Sequence, residues 1–151
     1  MANFKQSFTE SLRRLLPGVW LGLLLAIALI ATPAASNALD KASFGAIARA
    51  IFAREAPTSL VFGVLILVIE RRDALARHMA TGVTQFSSEM LLAAGALFCT
   101  VAGYYGLLPA MEQARLGGAT QLSFLQLHAL SLAFFGLKGL LVLGLAWKAT
   151  R

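Results

Sequence analysis

Long apolar runs alternate with short polar, mostly basic stretches along this chain. The runs are GVWLGLLLAIALIATPAAS at 18–36, PTSLVFGVLILVI at 57–69, VTQFSSEMLLAAGALFCTVAGYYGLL at 83–108 and SFLQLHALSLAFFGLKGLLVLGLAW at 123–147. Crossing roughly 30 Å of hydrocarbon takes about 20 predominantly apolar residues in a helix. Three runs meet that length alone, and the second meets it only if its helix starts upstream, within 43–56. The pattern predicts an all-α integral membrane bundle of four transmembrane helices in one domain, 17–151, with spans at about 17–36, 43–70, 83–109 and 122–147. Pro33 and Pro57 are expected to kink their helices rather than end them, because a bundle can satisfy the carbonyls they free. Ahead of the first span, Phe4, Phe8, Leu12, Leu15 and Leu16 recur at helical spacing, so 1–16 reads as an amphipathic segment lying among headgroups. Basic residues, an apolar run and ATPAASNA also resemble a secretory signal. The apolar run exceeds a signal core of about 7–15 residues, so an uncleaved first span is expected.

Composition agrees with a membrane class. Of 151 residues, 58% are hydrophobic and 13% charged, and the mean hydropathy is +0.75. The formal charge of +6 lies between apolar runs and accompanies no nucleic-acid motif, so nucleic acid is excluded as a partner. Charge does set an expected orientation. With the N-terminus in the cytoplasm, the inner segments hold Lys5, Arg13, Arg14, Arg71, Arg72, Arg77, Lys148 and Arg151, while the outer ones hold Lys41, Arg49, Arg54 and Arg115. The bias places both termini inside a cytoplasmic membrane, with Trp20 and Trp147 at the inner interface and Tyr104 and Tyr105 near the outer one. Cys99, the lone cysteine, forms no intrachain disulfide.

Candidate chemistry lies in the polar residues within the spans. On a helix at 100° per residue, Gln121, His128, Ser131 and Lys138 share an arc of roughly 100°. A charge at a helix centre costs about 2.5–3.5 kcal/mol on insertion scales, so this stripe is expected to face protein rather than lipid. Glu89, with Gln85, Thr100 and Cys99 on nearby faces of the third span, is the expected partner of Lys138, reached by the lysine stem. Glu55 is paired in the same way with His128 at comparable depth. Small residues mark expected helix contacts: Gly18 and Gly22 at GxxxG spacing, continued by Ala26, and the row Gly95, Cys99, Gly103.

The stretches GVWLG, ATPAASNALDKASFGAIARAIFAREAPTSLVFGVLILVIERR, SSEMLLAAGALFCTVAGYYGLLPAM and LSFLQLHALSLAFFGLKGLLVLGLAW resemble, in order and spacing, a family of unknown function that groups small bacterial inner-membrane proteins with eukaryotic transmembrane protein 205. The likeness runs from about residue 12. It implies four membrane helices, a recurring histidine-serine element at His128 and Ser131, and a polar patch around Glu55; it implies no activity and no catalytic residue. The residues themselves show no hydrolase triad, no phosphate loop and no paired carboxylates. A haem site would have His128 alone, since His78 lies at another depth, and a soft-metal site would have Cys99, His128 and Met111 without motif spacing. No cofactor is expected. The favoured role is a non-enzymatic accessory or structural subunit in the bacterial inner membrane, packing against other membrane proteins or its own copies. The alternatives are a small transporter or conduit lined by Glu55, Glu89, His128 and Lys138, and then a haem- or quinone-linked redox protein.

Overall fold

The computed structural model describes residues 2–150, with side chains from residue 8 onward. It is all-α, and four of its helices are long and apolar enough to cross a membrane: Phe8–Ala38, Lys41–Thr81, Ser88–Arg115 and Phe124–Ala149. They are called here the first to fourth helix. Each packs on two neighbours, in the ring order first, second, third, fourth and back to first, so the second and fourth lie diagonally opposite. Successive helices run antiparallel. One end of the bundle therefore gathers the start of the first and third helices and the close of the second and fourth.

The stops and starts follow from local chemistry. Asp40 caps the second helix by accepting from the backbone N–H groups of Ala42 and Ser43. The Ser43 hydroxyl and these N–H groups hold its carboxyl below the usual carboxylate range. At the other end Gly82 takes φ 71°, a left-handed conformation that suits glycine, and its N–H closes on His78. Ser87 caps the third helix, and Ser123 with Gln126 makes a reciprocal capping box on the fourth. These caps explain why the third and fourth helices begin at Ser88 and Phe124, a few residues inside the expected bounds. The second helix is longer than expected at both ends. Its 41 residues would reach about 60 Å at 1.5 Å per residue. Nothing breaks it until Gly82, because ERRDALARHMAT keeps helical spacing and Asp73 is held by Arg13.

Prolines are absorbed in two ways. The first and third helices each contain a π-helical stretch, Ile27–Ala31 and Val101–Gly106, that ends just before a proline, Pro33 or Pro109. In the first, the Thr32 N–H reaches back five residues to the Ile27 carbonyl. Such a widened turn accommodates the ring and the missing donor without ending the helix. Pro57 sits in a continuous α-helix, where the adjacent Thr58 hydroxyl donates to the Arg54 carbonyl at 2.8 Å. The first helix is likewise continuous from Ala2 to Ala26 through Pro17, so the amphipathic stretch and the first span form one rod. Only the backbone of 2–7 belongs to the described part, and the side chains of Phe4 and Lys5 lie outside it.

The core is built from Trp20, Leu24, Ile66, Ala93, Ala96, Val142 and Leu145, drawn from all four helices. Two glycines make it possible. A Cβ on Gly63 would come within 2.6 Å of Leu97 and 3.3 Å of Trp20, and one on Gly103 within 2.5 Å of the Phe134 Cβ. Gly95 also lies inside, against Leu141. Gly18 and Gly22 do not: no neighbour lies within 4 Å of either would-be Cβ, and both face outward.

Candidate functional site

The buried face of the second helix is Glu55, Ala56, Ser59, Gly63, Ile66, Glu70 and Ala74, a stripe at helical spacing. Its upper members make the central polar cluster. The Lys138 ammonium on the fourth helix donates to Glu55 Oε1 at 2.7 Å across the diagonal of the bundle. The Ser59 hydroxyl donates to the same oxygen in a short contact. In turn Ser59 Oγ accepts from the Trp20 indole N–H at 2.9 Å. First, second and fourth helices are thereby tied to one carboxylate. Trp20 and Ser59 are 0% exposed, Lys138 3% and Glu55 4%. The Lys138 ammonium also lies 4.9 Å from the centre of the Phe135 ring, a favourable cation–π placement. Cys99 and Thr100 bring the third helix to the cluster. Both are buried, and the Thr100 hydroxyl is satisfied by the Ala96 carbonyl at 3.0 Å.

Lys138 sits 14 residues from Phe124 and 11 from Ala149. At helical rise it is about 20 Å and about 16 Å from those ends, so the ion pair lies near the middle of the span. The anticipated pairings were different. Glu89 does not meet Lys138; it accepts from Lys148 at 3.2 Å, ten residues nearer the end of the fourth helix. His128 does not meet Glu55; it is exposed, stacked on Phe124 with ring centres 6.1 Å apart. Ser131 is half-buried and donates to the Gly103 carbonyl at 3.0 Å, joining the fourth helix to the π-helical stretch of the third. Glu55 and Lys138 are thus brought together, while Glu89, His128 and Ser131 stand apart from them. Cys99 is buried against the central cluster and His128 is on the surface, so the two do not form a common ligand set. Among the described residues no three His, Cys, Asp or Glu converge as a metal site would require. Trp20, expected at an interface, is instead a core residue, because Ser59 offers its N–H a buried acceptor.

A second polar layer closes the end of the bundle where the first helix starts. Arg13 grips Glu70 through two hydrogen bonds, at 2.7 and 3.0 Å, and reaches Asp73 at 3.4 Å. Such a bidentate fork is among the stronger charge pairs. Around it lies a cavity of about 290 Å³ lined by Glu10, Arg13, Arg14, Glu70, Glu89 and Lys148, floored by Pro17 and Leu145. Ser59 and Glu70 were not singled out from the chain alone, and Trp20 was read only as an interface residue. The row 55, 59, 63, 66, 70, 74 at three- and four-residue spacing was the available signal.

Taken together, a ring of four apolar helices around a buried ion pair defines a multi-pass membrane protein of the all-α class. Residues 15–120 match the family described as domain of unknown function DUF4149. The chain belongs to that family. No curated protein and no solved structure matched the chain.

Proposed function

We propose that this is a non-enzymatic protein of the bacterial inner membrane, an accessory or structural subunit that packs against other membrane proteins, with both termini in the cytoplasm. The observation that carries the reading is the self-sufficiency of the interior. The one buried ammonium among the described residues is bonded to a buried carboxylate that also receives Ser59, and no buried side-chain N or O among the described residues lacks a partner. A site meant to bind and release a solute would keep polar valence open toward a path. Here Ile66, Ala93, Val142 and Leu145, all buried, lie between the central pair and the polar layer at the bundle end. The eight basic residues assigned to the termini side against four on the other support the orientation. Kinship with eukaryotic transmembrane protein 205 belongs to the same reading and rests on the sequence likeness.

Its test is extraction of the tagged full chain in a mild detergent from its own cells, followed by mass spectrometry of what co-purifies and an absorption spectrum. A membrane protein in near-stoichiometric yield, absent from a control pull-down, is the expected result. A lone monomer at all protein concentrations would overturn the subunit role, and a Soret band would replace it with the haem reading.

A further inference from the structure

We propose that the cavity at the termini end binds the headgroup of a zwitterionic phospholipid bearing a primary ammonium, with one acyl chain laid along the first helix. The lining carries three cations, Arg13, Arg14 and Lys148, and three carboxylates, Glu10, Glu70 and Glu89, a net charge of zero. An anionic headgroup would meet as much repulsion as attraction there. A phosphate diester with an ammonium two carbons away meets both signs at once.

The lining charges are not equally committed. Arg13 is held by Glu70 and Asp73, and Glu70 is 3% exposed. By contrast, among the described residues Arg14 is bonded to Glu10 and Lys148 to Glu89 and Ser88, with side chains 69% and 41% exposed. Exposed pairs of this kind hold weakly. Turning Arg14 and Lys148 onto a phosphate leaves the Glu10 and Glu89 carboxylates to accept hydrogen bonds from an ammonium. The depth is right as well. Trp147, beside Lys148, is 61% exposed on the flank of the bundle, where an indole marks the headgroup boundary.

The first helix supplies the track for the chain. Glu10, Arg14, Gly18, Gly22 and Ala26 fall four residues apart and so form one ridge that winds slowly round the helix, about 40° per step. Below the Arg14 guanidinium the row loses its side chains. Nothing lies within 4 Å of where a Cβ would stand on Gly18 or Gly22, while Leu15, Val19 and Leu25 are exposed beside them. From Arg14 to Ala26 is about 18 Å at helical rise, close to half a hydrocarbon thickness of roughly 30 Å. A charged clamp continuous with an exposed strip of glycine and alanine that reaches about one leaflet's depth fits a diacyl lipid better than a soluble phosphate ester.

Native mass spectrometry of the full chain, released from micelles doped with equal amounts of dioleoyl phosphatidylethanolamine, phosphatidylcholine and phosphatidylglycerol, tests this. Phosphatidylethanolamine should be retained about fivefold or more over the other two, because the choline methyls cannot donate hydrogen bonds and the glycerol headgroup brings no cation. R14Q and G18L should each bring retention down to the phosphatidylcholine level with unchanged melting temperature, since the Arg14 pair with Glu10 is exposed and within one helix and a Cβ on Gly18 would meet nothing within 4 Å. Millimolar phosphoethanolamine should not displace the bound lipid. Equal retention of the three lipids would overturn the proposal, as would displacement by the soluble ester. So would G18L abolishing a dimer while leaving lipid retention intact. Failure here leaves the subunit reading standing, since that reading does not use the cavity.

Discussion

Removing the Lys138 ammonium would strand the Glu55 carboxylate at mid-membrane beside Ser59, with no other cation bonded to it among the described residues. Deleting one partner of a buried ion pair typically costs about 3–5 kcal/mol, since the other charge stays desolvated. K138M and E55Q should each lose stability of that order in detergent-denaturant unfolding. The exchanged double variant, K138E with E55K, should recover a large part of it, and an exchange no better than the sum of its parts would show that the two groups do not interact. That the spans carry functional-looking polar residues was legible in the chain; which residue meets which was not. Glu55 was expected at the depth of His128, in a helix taken to run over 43–70. In the structure the helix starts at Lys41, and Glu55, about four turns deep, stands level with Lys138 on the diagonal helix, a pairing that the sequence of either helix alone does not reveal. Glu89 was expected near the inner end of its span, within reach of a descending Lys138 stem. Being one residue inside its helix, it stands level with Lys148 at the far end of the fourth.

Among the elements, the glycines separate into those that hold helices together and those that do not. Gly63 and Gly103 admit a neighbour where a methyl would sit, whereas Gly18 has open space. G63A and G103A should therefore destabilise the bundle by about 1–3 kcal/mol through overpacking. At Gly18 the same change should stay within about 0.5 kcal/mol. Thermal melts of the three variants in one detergent check the order, and a G18A loss matching G103A would contradict the outward placement. The expected small-residue contacts at Gly95 and Gly103 correspond to real close approaches, while the identical spacing at Gly18 and Gly22 does not. Spacing alone specifies a smooth helix face, and only the neighbour's position decides what lies on it. The four helices themselves were legible because twenty-residue apolar runs have few other folds available in lipid. Their ends were not, since caps such as Ser87 and Gly82 are set by single residues outside the apolar pattern.

For the whole molecule, two polar layers are separated by apolar packing. The central pair lies about 15 Å, ten helical residues, from Lys148 at the bundle end, and Val142 and Leu145 between them are 0% and 2% exposed. Vesicles reconstituted with the purified chain should accordingly hold an imposed pH gradient as long as protein-free vesicles do. Rapid collapse of the gradient, abolished by E55Q, would show that the layer opens and would favour the conduit role instead. On the proposed reading, the buried polarity serves to fix which helix faces which, a use of ionic groups for which register specification is the best-attested precedent.

The diagonal salt link also has a temporal side. Glu55 and Lys138 are 83 positions apart, so at about 5–20 residues per second the ribosome makes the acid several seconds before the base. Throughout that interval the second helix has only its own serine and the earlier indole to quiet its negative charge. Final seating of this early hairpin therefore waits on the last segment to emerge, and a chain truncated before that segment would present an unsatisfied acid to the membrane's proteases.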